Sequence, residues 1–340
     1  MTDRLMAWLE TAVAGYAGIA SRLRTRDVVA VDRELRLTVT RAELEAADVM
    51  GLTLADPGGG LLPEWTPGAH LDVVLPSGLL RQYSLCGDPD DRTEYRIAVR
   101  RLDSGGGGSV EIHGLQAGAQ IVTRGPRNAF PFAYPFFARR DIRKVAFIAG
   151  GIGITALLPM IRTAAALGID WSLTYVGRDE STMPFLAELR ESPVDRLRLR
   201  YGVPAVSDVL ANVDAQTSVY FCGPPSFLDD VRDALDTHPH AGFHFERFSA
   251  PPVVGGQPFA VRFGRSGGGV DVPADASALA AIRSVLPDVP YSCQQGFCGT
   301  CRVDVLEGTV GRRGTSQFLD RSDSMLLCVD RADSDITIDL

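Results

Sequence analysis

This sequence has almost no lysine, no long apolar run and no excess of positive charge. Lys144 is its only lysine, and the formal net charge is −8 at pH 7. Because nucleic-acid binding depends on neutralising phosphates with Lys and Arg, nucleic acid is not expected as a partner. The sequence has no apolar run of about 18 residues and no signal-peptide pattern, so neither a membrane span nor export is expected.

The chain of 340 residues is too long for one ordinary hydrophobic core, and two or three domains are expected. Its composition, 45% hydrophobic and 22% charged, is typical of a soluble globular protein. Residues 1–38 form an N-terminal extension of unknown role. Within it, residues 5–20 predict an amphipathic helix that packs on the main body or on a second subunit. Its polar face is not enriched in Lys and Arg, which argues against a membrane anchor.

Four of the six cysteines lie in the last 48 residues. Cys293, Cys298 and Cys301 stand in C-x4-C-x2-C spacing, and Cys328 follows after 26 further residues. Four thiolates in this pattern hold the two irons of a plant-type 2Fe–2S cluster. Disulfides suit small secreted domains instead, and a zinc site usually has two cysteine pairs, whereas Cys328 has no partner nearby. We therefore expect a one-electron centre with reduced thiolates, and hence a cytoplasmic protein.

The segments around these cysteines are typical of a cluster loop. Gly296 and Gly299 supply the backbone freedom that a chain wrapped closely around a cluster needs. The apolar run Met325–Val329 predicts a buried strand that carries Cys328.

The domain that contains this loop is expected at 257–340, after a Pro- and Gly-rich linker at 249–256. Strands are expected at 259–263 and 270–272. A helix is expected to follow, with Ser277 as its N-cap.

Residues 39–135 show short alternating runs separated by Gly and Pro, which predicts an antiparallel barrel. The expected strands are 50–54, 70–75, 80–85 and 95–100. On the third strand, Arg81 and Tyr83 point to one face and Gln82 and Ser84 to the other. An aromatic ring for a flat ligand, with a guanidinium and a hydroxyl for a phosphate, is what a flavin nucleotide requires.

A glycine run, Ser104–Val110, follows within the same barrel. Such a run can present successive N–H groups to a phosphate. Taken separately, this run also fits a flexible surface loop, and the Arg81 motif also fits an ordinary edge strand.

Residues 136–248 alternate strands and helices, which predicts a parallel sheet flanked by helices. The expected strands are 144–149, 171–176, 197–201, 218–222 and 243–246. The first runs into the glycine-rich turn Gly150–Thr155 and then into a helix that ends near Gly168. Such a turn before a helix lets the backbone approach a pyrophosphate, although the G-x-G-x-x-G fingerprint is absent. A tight turn without a ligand is the alternative.

A second strand end, Cys222–Pro225, precedes a helix at 226–235. Because ligands of open α/β sheets bind at the carboxyl ends of strands, these two ends predict a nicotinamide site. Simple packing of a buried Cys222 is the alternative. After strand 171–176, Arg178 would attract a 2′-phosphate but Asp179 and Glu180 would repel one, which favours NADH over NADPH.

These motifs, in this order, resemble those of the phthalate dioxygenase reductase family, which includes the vanillate demethylase reductases. The resemblance covers residues 39–340. It implies a multidomain α+β and α/β protein with three parts, which are an antiparallel FMN-binding barrel at 39–135, a parallel-sheet NAD-binding domain at 136–248 and a C-terminal β-grasp ferredoxin domain at 257–340.

The resemblance also implies the residues of each site. The flavin residues are Arg81, Gln82, Tyr83, Ser84, Ala98, Val99, Gly107, Gly108, Ser109 and Phe248. The residues for the nicotinamide coenzyme are Gly150, Gly151, Gly153, Thr155, Cys222, Gly223 and Pro224, of which Thr155 and Cys222 position the nicotinamide for catalysis. Arg178 and Asp179 are added to them from the end of strand 171–176, as argued above. The cluster ligands are Cys293, Cys298, Cys301 and Cys328.

The sequence departs from the family pattern at two of these motifs. Gly106 stands where the phosphate loop often has Arg, so one charge on the phosphate is missing. Ala156 stands where Pro usually follows Thr155, a change that should be tolerated.

A nicotinamide delivers two electrons together, a cluster accepts one at a time, and a flavin can mediate between them. The resemblance implies a reductase that passes electrons from NADH through FMN, with FAD less favoured, and a 2Fe–2S cluster to a partner oxygenase, either Rieske-type or a haem monooxygenase. One alternative is an FAD-dependent NAD(P)H reductase with a fused ferredoxin that serves a haem monooxygenase. Another is a non-catalytic iron–sulfur redox sensor, but the basic readout patch that a sensor needs is not evident. The oligomeric state is left open.

Overall fold

The structure is a computed structural model that describes residues 34–103, 107–132, 142–248, 253, 255–287, 289–291, 296, 299–311 and 323–340. Several predicted features lie outside the described residues. They are the N-terminal helix, residues 104–106 of the glycine run, most of the 249–256 linker, and the ligands Cys293 and Cys298. Within the described ranges, no helix is both long enough and apolar enough to cross a lipid bilayer.

Six antiparallel strands form the predicted barrel, which is confirmed. They are β1 (Glu34–Ala46), β2 (Val49–Ala55), β3 (Ala69–Val74), β4 (Leu80–Ser84), β5 (Glu94–Arg100) and β6 (Gln120–Asn128). Their hydrogen-bonded order is β4-β3-β6-β1-β2-β5, and a bridge between Leu85 and Ile97 joins the two outer strands. Alternate residues such as Leu52 and Leu54 point inward and are fully buried, as the period of a strand requires.

Two parts of the barrel differ from the sequence-based expectation. Strand β1, which begins at Glu34, was not among the expected strands. Strand β6 was not expected, because Gly125 and Pro126 lie within it and both residues normally interrupt strands. The short helix α1 (Gly108–His113) crosses from β5 to β6, and Gly107 enters it with a φ of 83°.

The predicted parallel sheet is also confirmed. Its strands are β7 (Lys144–Gly150), β8 (Asp170–Gly177), β9 (Leu197–Tyr201), β10 (Thr217–Cys222) and β11 (Gly242–Glu246), in the order β11-β10-β7-β8-β9. The helices between them are α2 (Ile154–Ala166), α3 (Leu186–Leu189), α4 (Val206–Val209) and α5 (Pro225–Leu235). Neighbouring residues of one strand enter different cores, since Phe147 packs with α2 and Ile148 packs with α5. The sheet is therefore buried on both faces.

The C-terminal domain consists of a mixed sheet and one main helix. Its elements are β12 (Phe259–Phe263), β13 (Gly269–Val272), α6 (Ala278–Val285), β14 (Arg302–Glu307), β15 (Val310–Gly311), β16 (Ser324–Leu326), β17 (Arg331–Ala332) and β18 (Ile336–Ile338). The sheet order is β13-β12-β18-β14-β16, with β15 and β17 as a separate pair. Ser277 caps α6 as predicted, because its hydroxyl accepts a hydrogen bond from the Ala280 N–H at 3.2 Å.

The predicted strand over Met325–Val329 is wrong beyond Leu326, where β16 ends. The chain turns there, because the N–H groups of Val329 and Asp330 both donate to the Leu326 carbonyl, at 3.1 and 2.9 Å. The Asp330 carboxylate in turn accepts from the Leu326 N–H at 2.9 Å. Cys328 is buried in this turn. The apolar residues after Leu326 are therefore buried, as their composition indicates, but they do not form a strand.

Replacing Asp330 by Ala should destabilise this domain by about 1–3 kcal/mol, because the buried Leu326 N–H loses its acceptor. Asp330→Asn keeps an acceptor oxygen and should lose less. Urea unfolding of the full chain, followed by circular dichroism, measures both variants. Equal stability of Asp330→Ala and the unchanged protein would contradict this role of the carboxylate.

Candidate functional site

The predicted flavin motif occupies β4. Tyr83 is half-buried, and burial raises the pKa of its hydroxyl to about 12 even though Arg81 lowers it. Its hydroxyl is therefore neutral and can donate a hydrogen bond. Ser84 is buried. Gln82 donates from Nε2 to Asp72 Oδ1 at 2.8 Å, so its amide is used inside the barrel between β3 and β4.

Arg81 lies against the beginning of α1. A Cβ atom on Gly108 would come within 2.7 Å of Arg81 Nε, so the guanidinium fills the space that a side chain would need. The structure thus brings the predicted cation of β4 to the described end of the predicted phosphate loop. This arrangement of a cation, backbone N–H groups and a nearby aromatic ring fits a flavin phosphate and its ring system.

Three other predicted flavin residues have partners within the barrel. The Ser109 hydroxyl accepts from the Leu102 N–H at 2.9 Å and donates to the Leu102 carbonyl at 3.2 Å. Ala98 and Val99 are buried, and the Val99 carbonyl lies 2.9 Å from His113 Nε2. The Ser109 hydroxyl therefore joins the start of α1 to the segment that follows β5.

The two predicted nicotinamide turns meet at the carboxyl edge of the parallel sheet. They follow β7 and β10, and between these neighbours the strand order reverses direction, which is the usual ligand position in such sheets. Glycines allow the contact. A Cβ on Gly150 would lie 2.5 Å from Pro224 Cδ, and a Cβ on Gly153 would lie 2.2 Å from the Cys222 carbonyl oxygen.

The side chains at this edge are neutral. Thr155 is buried, and its hydroxyl donates to the Ile152 carbonyl at 2.9 Å. Burial raises the pKa of the Cys222 thiol well above its ordinary value, and the Glu246 carboxyl raises it further. A protonated thiol is a poor nucleophile, so Cys222 is not activated for nucleophilic chemistry.

Glu246 is a site residue that the sequence prediction did not assign. It pairs with Cys222 in the register of β10 and β11 and is buried. Burial raises the pKa of its carboxyl to about 8, and no described residue hydrogen-bonds its Oε2 atom. Two residues farther along the chain, Phe248, which is half-exposed, was the assigned residue of this region.

Two ionised carboxylates lie beyond the end of β8. A hydrogen bond from the Ser181 hydroxyl, at 2.6 Å, lowers the pKa of Asp179. Arg190 and the Tyr201 hydroxyl bind Glu180 at 2.7 Å each and lower its pKa. Both side chains are exposed, as is the neighbouring Arg178.

Two of the predicted cluster ligands lie in the described structure. Cys301 Sγ and Cys328 Sγ are 3.2 Å apart, which is too far for a disulfide bond of about 2.05 Å. Both are buried, and two buried thiols at this separation can bind one metal ion. Gly296 and Gly299 have φ angles of 85° and 73°, as predicted for the loop.

Together, the fold and these sites define an oxidoreductase of the ferredoxin-reductase class, with a flavin-type barrel, a nucleotide-type sheet and an iron–sulfur domain. Residues 264–332 match the family model described as a 2Fe–2S iron–sulfur cluster binding domain. The phthalate dioxygenase reductase of Burkholderia cepacia is 35% identical over 91% of this chain and 98% of that protein. The vanillate O-demethylase oxidoreductase of Pseudomonas putida is 36% identical over 78% of this chain and 85% of that protein.

Solved structures give the same result. A phthalate dioxygenase reductase, described as a modular structure for electron transfer from pyridine nucleotides to [2Fe–2S], has a TM-score of 0.69 and 33% identity, covering 91% of this chain and 98% of that one. An intact type IV self-sufficient cytochrome P450 monooxygenase has a TM-score of 0.70 and 33% identity, covering 94% of this chain and 43% of that one. The chain belongs to the phthalate dioxygenase reductase family.

Glu246→Gln should change how the stability of the protein depends on pH. Between pH 4.5, the ordinary pKa, and about 8, the folded state keeps a proton that the unfolded state has released. The free energy of unfolding therefore falls as pH rises through this window, by up to about 1.4 kcal/mol per pH unit. Because Gln is neutral throughout, Glu246→Gln should gain stability relative to the unchanged protein between pH 5 and pH 9.

Urea unfolding at pH 5, 7 and 9 measures this effect. Glu191→Gln, which removes an exposed carboxyl, is the control. If the stability difference between Glu246→Gln and the unchanged protein were constant across pH, the carboxyl would not be protonated in the folded state.

Gly153→Ala should weaken nicotinamide-nucleotide binding by about 10-fold or more, because its Cβ would collide with the Cys222 carbonyl and push the two turns apart. Gly114→Ala is the matched control, since its Cβ would meet its nearest atom at 3.3 Å. Calorimetric titration measures both affinities. Unchanged binding by Gly153→Ala would show that the turns do not need this close contact.

Proposed function

We propose that this protein is an oxygenase reductase component that passes electrons from NADH to FMN, then to the 2Fe–2S cluster, and then to a separate oxygenase. The observation that carries the proposal is the position of β4. Leu80, at its start, packs against the core of the C-terminal domain. Cys86, just beyond its end, packs in the core of the α/β domain. The flavin motif lies between these two contacts.

This position matches the order that the chemistry requires. A hydride donor and a one-electron acceptor must both approach the flavin, so the strand that holds the flavin has to border both domains. Tyr291 supports the same arrangement from the cluster side, because it lies two residues before Cys293. Burial raises the pKa of its hydroxyl, and the charges of Asp72 and Arg81 in the barrel are close enough to act on it as well. The chain's own part is to bind and orient, and no acid–base residue is needed for hydride transfer itself.

Each cofactor would have its own residues. Arg81, Tyr83 and the Gly107–Ser109 segment would hold the flavin phosphate and ring, with Phe248 beside the ring. The turns after β7 and β10 would hold the coenzyme, with Thr155 and Cys222 beside the nicotinamide. Cys293, Cys298, Cys301 and Cys328 would hold the cluster, which supplies one-electron storage at a low potential.

The proposed coenzyme, flavin and electron acceptor rest on different observations. The ionised carboxylates of Asp179 and Glu180 favour NADH over NADPH. FMN rather than FAD follows from the family resemblance. The acceptor is proposed as an oxygenase because the relatives named above are reductases of oxygenase systems, and the match to a self-sufficient P450 keeps a haem monooxygenase as the second candidate acceptor.

Anaerobic titration with NADH, and separately with NADPH, tests the proposal. We expect the flavin to take two electrons and the cluster one, NADH to act at lower concentration than NADPH, and the flavin released by denaturation to be FMN. Visible absorbance follows both centres. Bleaching of the cluster by dithionite but by neither coenzyme would reject the reductase and favour a redox sensor, while release of FAD would favour the FAD-dependent alternative.

A further inference from the structure

Arg162 connects the helix of the nicotinamide turn to the strand of the flavin motif. It lies on α2, which begins within the turn Gly150–Thr155. Its Nη1 donates to two barrel carbonyls, that of Cys86 at 2.9 Å and that of Gly87 at 2.7 Å. These two residues follow β4 closely, so one guanidinium joins the two elements that a hydride would have to pass between.

The remaining donors of this guanidinium bind Glu188 on α3. Nε donates to Glu188 Oε1 at 2.6 Å, and Nη2 lies 2.5 Å from the same oxygen. Arg96 of the barrel reaches Glu188 Oε2 at 4.0 Å and pairs with Glu45 at 2.6 Å. One carboxylate of the α/β domain is therefore shared by an arginine from each side of the domain boundary.

Further contacts cross the domain boundary beside this network. The Arg96 guanidinium lies 4.8 Å above the ring of Phe185, and the Ala47 N–H donates to the Ser181 carbonyl at 2.7 Å across the same boundary. The apolar core of the α/β domain also continues into the barrel through Val49, Cys86 and Ala98. The polar network thus fixes an orientation between two bodies that already share a core.

We propose that Arg162 is a positioning residue for hydride transfer, which holds the nicotinamide turn at a set distance and angle from the flavin strand. The inference rests on the proposed function. Hydride transfer needs reacting atoms about 3–3.5 Å apart, and a displacement of about 1 Å can slow a reaction about 100-fold. A planar guanidinium with five donors can fix distance and angle together, which a lysine ammonium cannot.

Arg162→Met and Arg162→Lys test this role, with Arg196→Met as the matched control. Both arginine side chains are 30% exposed. Arg196 also binds a carboxylate and a backbone carbonyl, those of Asp170 and Trp171, but both lie in its own domain. The control therefore removes an equivalent arginine without touching the domain boundary.

The first measurement is the rate of flavin reduction by NADH in anaerobic stopped flow, over a range of NADH concentrations. We expect the limiting rate to fall about 10- to 100-fold in Arg162→Met and less in Arg162→Lys. The apparent Kd for NADH should stay within about 3-fold, because the coenzyme contacts remain in place. Arg196→Met should match the unchanged protein.

The second measurement does not depend on turnover. Hydrogen–deuterium exchange of the purified protein without NADH should show faster exchange in residues 85–92 for Arg162→Met and no change there for Arg196→Met. If Arg162→Met does not fold, Arg162→Lys and Glu188→Gln decide the outcome by the same two measurements.

Two results would overturn the inference while leaving the proposed function intact. One is flavin reduction in Arg162→Met as fast as in Arg196→Met, and the other is unchanged exchange at residues 85–92. Failure of NADH to reduce the flavin of the unchanged protein would instead reject the proposed function, and the hydride-positioning role with it.

Discussion

The register of β4 is the constraint on which the rest of the described structure depends. This strand has five residues, and it pairs with β3 while its two flanks enter the cores of the other two domains. A shift of one residue would turn every side chain of the strand to the opposite face. Leu80 would then leave the C-terminal core, and Arg81 would leave Gly108. A single register of β4 therefore satisfies the contacts of the barrel with both the α/β domain and the C-terminal domain.

A second constraint acts at the carboxyl edge of the parallel sheet, where the turns after β7 and β10 have no room for side chains at their glycines. Three glycines let the turns after β7 and β10 touch backbone to backbone, and the groups that remain beside them are a hydroxyl, a protonated thiol and a carboxyl whose pKa is about 8. A ligand at this edge would meet a buried and mostly uncharged surface. Beyond the end of β8, the ionised carboxylates of Asp179 and Glu180 would disfavour a phosphate group.

Most of the fold was predictable because its signals are local. Short alternating runs identified the barrel, the alternation of strands and helices identified the parallel sheet, and a serine identified the start of α6. The predictions failed where tertiary contacts prevailed. Strand β6 accommodates a glycine and a proline within the barrel. Near Cys328, the Asp330 carboxylate accepts a hydrogen bond from the Leu326 N–H, and the apolar segment forms a turn instead of continuing the strand.

The positions of the candidate site residues were only partly predictable for the same reason. The spacing of the cysteines and glycines carries chemical information by itself, whereas Arg162 gives only a weak signal, as the one charged residue of the apolar helix α2. Its two partners across the domain boundary are backbone carbonyls more than 70 positions away, and a sequence pattern does not show which carbonyls accept hydrogen bonds. Glu246 was overlooked because its cross-strand neighbour, Cys222, is defined only by the sheet register.

The two boundaries around β4 differ in kind, and this has an evolutionary consequence. The barrel and the α/β domain share a continuous apolar core and a network of arginines, while Leu80 reaches the C-terminal domain as a partly buried side chain. Exchanging the α/β domain for another would disrupt a common interior. Among the described residues, exchanging the C-terminal domain would disturb the contact of Leu80 and the approach of Tyr291 to Arg81 and Asp72, but no shared core. The barrel and the α/β domain are therefore the pair that we expect to be inherited together, and the C-terminal domain is the part that is more easily exchanged.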